Sequence, residues 1–229
     1  MVARHFSHVT QWVFDLDNTL YPPEARLFDQ IETRMTDWVM DIAGVDRTEA
    51  DRLRLHYWQT YGTTLAGLMC EHDADPVPYL THVHDIDFSP LAPDPALAAL
   101  IGALPGRKIV YTNGARPYAQ NVLAARGLDG LFDAVYGVEH ADFRPKPERA
   151  AFEKVFARDG ITPATAAMFE DDPRNLTAPH AMGMRTVHVA PAPHNGAHIH
   201  HHTDDLADFL SQIVDAPSPP RAPRAKSGT

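Results

Sequence analysis

The chain has 229 residues, 44% of them hydrophobic, enough for one full-sized core plus a smaller accessory domain and too apolar for a disordered chain. A formal net charge of −10 and a pI near 5.7 exclude a surface that gathers on nucleic-acid polymers or anionic membranes, so an anionic ligand needs a local site. The single cysteine, Cys70, excludes an intramolecular disulfide and a cysteine-based structural zinc site, and reads as a buried small hydrophobe.

The opening MVARHFSHVTQW has no apolar signal core, and no stretch approaches the roughly 20 apolar residues of a membrane span. The expected compartment is therefore cytoplasmic. Thr10 to Asp15 is apolar around Val13 and Phe14 and runs into the polar turn Asp17-Asn18-Thr19, which predicts a buried strand ending at a loop. From Leu27 to Ile42 apolar residues recur at three- and four-residue steps and stop at Gly44, which predicts an amphipathic helix. A second helix is expected to open at Thr48 and to carry Leu55 and Trp58 inward, and shorter ones follow over Thr64 to Glu71 and Pro78 to His84. Nothing between Pro22 and His84 reads as a strand.

After Pro90 helices and strands alternate. Helices are expected over 94–103, 116–126, 147–158, 174–181 and 204–214, and strands over Lys108–Thr112, Ala134–Tyr136, Ala166–Glu170 and Arg185–Val189. This rhythm predicts an α/β fold, a Rossmann-like parallel sheet flanked by helices, with a small all-helical insert after the first strand. The expected domains are a core of 1–20 and 89–215, a helical insert of 21–88, and a Pro-rich disordered tail of 216–229.

Four polar clusters stand at or beside strand ends, where ligand sites of such sheets lie. They are Asp15 with Asp17, Thr112-Asn113-Gly114, Arg144-Pro145-Lys146-Pro147, and Glu170-Asp171-Asp172. So many carboxylates in one crevice are costly unless a hard cation or proton occupies it, and oxygen-only ligands select Mg²⁺. Lys146 then supplies a fixed charge for phosphoryl oxygens, while Thr112 and the amides of Asn113 and Gly114 offer donors.

FDLDNTLYP, YTNG, RPKP and MFEDDPRN resemble, in order, the four motifs of the haloacid dehalogenase (HAD) superfamily. The helical insert, 21–88, resembles the small cap domain of that superfamily, and YGTTLAGLM, YLTHVHDI and LPGRKIVYTNG resemble its pyrimidine 5′-nucleotidase branch. The resemblance implies that Asp15 is the nucleophile and Asp17 the general acid/base, with Thr112 and Lys146 stabilising the phosphate. It also implies Mg²⁺ held by the Asp15 carboxylate, the Asp17 carbonyl and Asp171, with Asp172 as second choice, because Asn175 stands where the motif often has its last acid. The implied substrate is a pyrimidine nucleoside 5′-monophosphate, a small molecule, acted on by a monomer or homodimer.

Tyr21, Tyr61, Thr63 and Thr64 are candidates to meet a base or sugar, against a packing or capping role. Trp12, Trp38 and Trp58 read as core. The histidine-rich run 194–202 reads as a polar loop rather than a metal site, since no carboxylate or cysteine pattern fixes a geometry. Rival functions are a phosphatase for phosphoglycolate or a sugar phosphate, which shares every catalytic residue, and a non-catalytic scaffold, which would be expected to have lost one of them. A carbon–halide hydrolase needs neither the Asp17 acid nor the Mg²⁺ cluster.

Overall fold

The computed structural model describes residues 2–214. The chain begins with a short helix, α1 (Ala3–Phe6), absent from the sequence reading, and then enters β1 (Gln11–Phe14). Four helices follow, α2 (Leu27–Ala43), α3 (Arg47–Tyr61), α4 (Thr64–His72) and α5 (Pro76–Val83). The alternating half comprises α6 (Pro95–Ala103), β2 (Arg107–Tyr111), α7 (Arg116–Ala125), β3 (Ala134–Tyr136), α8 (Arg149–Asp159), β4 (Ala166–Glu170), α9 (Thr177–Ala181), β5 (Arg185–Val189), β6 (His201–Thr203) and α10 (Leu206–Val214).

The six strands form one parallel sheet in the order β3-β2-β1-β4-β5-β6. A parallel sheet must be covered on both faces, and β1 shows how the sequence meets that demand. Trp12 and Phe14 face a core shared with Phe169, Val187 and Phe209, while Val13 faces the opposite core with Ile109, Met168 and Phe152. The apolar runs therefore alternate between two cores rather than between core and solvent.

The starts of α3, α4 and α5 are set by side-chain caps, whereas α2 starts without one. Asp46, not Thr48, opens α3 by accepting the Glu49 amide at 3.0 Å; Thr63 opens α4 and Asp75 opens α5 in the same way. α2 ends at Gly44, whose φ of 65° suits glycine. α3 lies directly on α4, because Gly67 has no side chain: a Cβ there would sit 2.3 Å from the Tyr57 ring. Buried Arg126 ties the two chain crossings together, donating to the Leu20 carbonyl at 3.2 Å, to the Ala92 carbonyl and to Asp94 at 2.8 Å.

Several sequence expectations are corrected. Leu55 and Trp58 do not turn inward; they are 54% and 42% exposed, because α3 buries only Ala50 and Tyr57 on its inner face. Cys70 is exposed near the end of α4. The stretch 174–181 divides into a 3₁₀ turn, Pro173–Leu176, and α9. The histidine run is not all loop, since His201 and His202 belong to β6, paired to β5, and α10 starts three residues beyond Thr203. The tail 216–229 lies outside the described residues. Among the described residues no helix is long and apolar enough to cross a membrane.

Candidate active site

β1 carries the chain straight to Asp15, whose amide donates to the Phe169 carbonyl at 2.9 Å and so keeps the residue in register with β4. The Asp15 carboxylate is buried, and Lys146 Nζ reaches its Oδ1 at 2.6 Å. The same ammonium donates to Glu170 Oε2 at 2.6 Å and to the Tyr111 carbonyl at 3.2 Å. Lys146 thus joins the ends of β1, β2 and β4. Burial opposes its charge, but Asp15 and Glu170 outweigh that penalty and raise its pKa.

Asn113 sets the position of this lysine. Its side-chain amide donates to the Lys146 carbonyl at 3.1 Å and accepts from the Lys146 amide at 2.8 Å. This clamp occupies the Asn113 side chain and not its backbone amide, the expected donor, and Asn113 borders the space around Asp15 and Lys146. Gly114 donates its amide to Thr112 Oγ1 at 2.9 Å, so that donor is already engaged, and Thr112 is buried.

Asp17 stands two residues beyond Asp15 in a different environment. Tyr21 donates to its Oδ1 at 2.7 Å and Tyr118 donates to the same oxygen at 2.5 Å. Burial raises the Asp17 pKa, and the two phenols pull against it. With both phenols on Oδ1, Oδ2 is the oxygen left for a transferable proton. Tyr21 therefore supports Asp17 rather than a base or sugar. Tyr118, one helical turn beyond Gly114, escaped the sequence reading.

The carboxylates that converge are Asp15, Glu170 and Asp171, with one oxygen of each within 4.8 Å of the others. Glu170 was legible as one of the crowded acids but carried no assigned role. Asn18, held at a positive φ of 55°, donates to Asp171 Oδ2 at 3.3 Å. Burial, then the charge of Asp15, pushes Asp171 up to about 7; burial, with the nearby Asp171 charge adding to it, pushes Glu170 up to about 8. Such a group of oxygens fits a hard divalent cation, whose charge would return them to the ionised state. Asp172 turns elsewhere: its carboxylate takes Arg174 at 2.6 and 3.0 Å and caps the turn that follows β4. The structure thus separates Asp171 from Asp172.

Of the remaining candidates, Thr63 and Thr64 line a cavity beside the carboxylates, and Tyr61 donates to Glu71 at 2.9 Å without lining it. Trp58 does line it, beneath the Arg174 guanidinium at 3.5 Å from the ring centroid. His202 and His188 meet across β5 and β6 with Nδ1 atoms 3.2 Å apart. Among the described residues, histidines 194–202 enter no group of three metal-type donors.

Comparison with known proteins agrees with this geometry. Residues 12–183 match the model of the haloacid dehalogenase-like hydrolases. Phosphate metabolism protein 8 of Saccharomyces cerevisiae is 28% identical over 189 residues, covering 75% of this chain but only 58% of that relative. A HAD phosphatase from Thermococcus onnurineus superposes with a TM-score of 0.63 at 20% identity, covering 90% of this chain and 97% of that one. L-2-haloacid dehalogenase from Xanthobacter autotrophicus superposes with a TM-score of 0.51 at 20% identity, over 92% and 93%. The two structures share the fold; the family match spans Asp15, Asp17, Lys146 and Asp171, and by it the chain belongs to the haloacid dehalogenase-like hydrolases.

Proposed function

We propose that the protein is a Mg²⁺-dependent phosphomonoesterase acting through an aspartyl-phosphate on Asp15, with a nucleoside 5′-monophosphate, pyrimidine by family resemblance, as substrate. The observation that carries this reading is the contrast between two neighbouring aspartates. Asp15 is gripped by Lys146, while Asp17 rests on two phenols with one oxygen unengaged. Burial raises the pKa of both carboxyls, and at Asp15 the charge of Glu170 adds to it while Lys146 opposes it, so a bound cation would complete the ionisation a nucleophile needs; Asp17 keeps the proton an acid has to give.

Asp15 attacks phosphorus as the ester P–O bond breaks, and Asp17 gives its proton to the departing alkoxide. Asp17, now ionised, takes a proton from the water that attacks the aspartyl-phosphate, which frees Asp15 and inorganic phosphate. Lys146 offsets charge on the phosphoryl oxygens throughout. The Asp15 carboxylate, the Asp17 carbonyl and Asp171 would hold Mg²⁺, with Glu170 close by. When bound, the ion screens the anionic phosphate from the anionic nucleophile. Helices α2–α5 would serve as the cap. A neighbouring phosphate of another class, such as phosphoglycolate, would use the same carboxylates.

A phosphate-release screen over nucleotides, sugar phosphates and phosphoglycolate, with and without EDTA, tests the proposal. Release should vanish in EDTA, return with Mg²⁺ and be fastest with uridine or cytidine 5′-monophosphate. Release from no ester would overturn the phosphatase reading; a sugar phosphate or phosphoglycolate faster than every nucleotide would overturn the substrate.

A further inference from the structure

A cavity of about 410 Å³ lies among α2–α5 beside the strand ends. Asp17, Trp58, Asn113 and Arg174 border both this cavity and the space around Asp15 and Lys146, so the two are continuous. Much of the remaining wall is aliphatic, with Met35, Leu65 and Leu80 typical of it. Three polar groups on the wall, Nδ1 of His84 among them, are left over from packing. Nε of Arg54 and the hydroxyl of Tyr79 are buried without a hydrogen-bond partner among the described residues.

The Arg54 guanidinium is held only loosely. Glu32 Oε1 lies 3.5 Å from Nη2, Asp51 Oδ1 3.6 Å from Nε, and Met35 Sδ 3.9 Å from Nη1. Asp51 Oδ1 is committed instead to the Thr36 hydroxyl at 2.6 Å. A guanidinium has five N–H donors, and leaving buried donors unused is costly, so a wall of this kind is complementary to an acceptor brought in from outside.

Charge and polarity narrow the ligand. Along the cavity wall Arg54 and Arg174 stand against Asp17, Glu32 and Asp172, and the formal sum is therefore −1. A second anionic group on the substrate would be repelled there. A hydroxyl-rich sugar would press its hydroxyls against aliphatic wall and leave them unpaired. A flat, uncharged ring satisfies the apolar wall, and a neutral oxygen on it satisfies the donors. We infer that Arg54, aided by Tyr79, reads a keto oxygen on an uncharged heterocyclic leaving group seated in this cavity. The inference rests on the phosphomonoesterase reading for where the phosphate sits, and on the cavity walls alone for what the ring must be.

Calorimetric titration of the full chain with uridine, ribose and orotidine tests it, since orotidine adds a carboxylate to the same ring. Uridine should bind at least about tenfold more tightly than either. Ribose or orotidine equal to uridine, or no uridine binding, would overturn the inference. Arg54→Met should weaken uridine binding by about 10–100-fold, with part regained in Arg54→Lys. An unchanged affinity in Arg54→Met also overturns it, and should that variant fail to fold, the three-ligand series on the wild type decides. Uridine binding needs no turnover. A protein that binds uridine with this preference yet hydrolyses no phosphomonoester keeps the inference and loses the phosphatase reading. One that hydrolyses phosphomonoesters without preferring uridine loses the inference alone.

Discussion

Arg174 lies over Trp58, with its guanidinium carbon 3.5 Å from the ring centroid, and donates through Nη1 to the Trp58 carbonyl at 3.3 Å. Arg174 follows β4 by four residues and Trp58 sits on α3, so this pair joins the inserted helices to the strand ends. Asp172 accepts from Nε and Nη2 of the same guanidinium and so holds it over the indole. Such a contact at a partly exposed site contributes about 0.5–1 kcal/mol.

Arg174→Ala should therefore loosen α3 against the sheet while leaving the global unfolding midpoint within a few degrees. Hydrogen exchange read by mass spectrometry should show faster exchange around Trp58 and little change in β1 and β4. Unaltered exchange in α3 would show that the pair holds nothing in place.

The separation of Asp171 from Asp172 predicts an asymmetry in metal binding. Asp171→Asn removes an oxygen from the converging group and should weaken Mg²⁺ binding by at least tenfold, whereas Asp172→Asn removes a partner of Arg174 and should weaken it far less. Calorimetric Mg²⁺ titration of both variants decides; comparable losses would return Asp172 to the ligand set.

The two aspartates before the insert should fail at different steps. Asp15→Asn should form no covalent phosphate. Asp17→Asn keeps the nucleophile and loses water activation, a contribution of about 10²–10⁴-fold. Incubated with para-nitrophenyl phosphate, quenched in acid and weighed intact, the Asp17 variant alone should carry a phosphate adduct on Asp15. An adduct in the Asp15 variant would reverse the assigned roles.

His84, one side chain removed from Asp17 through Tyr118, supplies a pH prediction. Its ring stacks on Tyr118 at 4.2 Å, its Nδ1 is buried without a partner, and burial pushes its pKa from 6.5 down to about 4. The folded chain therefore refuses a proton that the unfolded chain accepts, and this contribution to stability, complete above 6.5, is lost as pH falls toward 4. By linkage the loss at pH 5 is at most about 2 kcal/mol, less for the ring's residual solvent access. Urea melts at pH 7.5 and pH 5 should show the wild type losing about 1–2 kcal/mol more than His84→Gln. Equal losses would mean that His84 protonates freely in the folded chain.

What the sequence conveyed depended on whether a residue's role is local. The strand ends were readable because an apolar run breaking into Asp15 or Asp171 states both the strand and its polar terminus. Caps were half readable: a Thr and an Asp two residues apart both suit an N-cap, and only the backbone shows that Asp46 takes the Glu49 amide. Trp58 was misplaced because helical spacing says which residues share a face but not whether another element covers it. Tyr21 and Tyr118 lie 97 positions apart in the chain yet meet on one oxygen of Asp17, and no local pattern announces that. Asp171 was preferred to Asp172 by resemblance alone, and the physical difference came only with Arg174, two residues beyond Asp172, which claims its carboxylate.

β1 is an interior strand, hydrogen-bonded to β2 on one side and β4 on the other, and the reacting aspartates issue from its end. The side chains proposed to choose the substrate lie instead on α3 and its neighbours, in a segment that interrupts the sheet's chain path without contributing a strand. Reaction and recognition thus have separate tolerances to change. Laboratory selection for a new leaving group should accumulate its substitutions in 27–83, around Arg54 and Leu55, and leave the strand tips as they are.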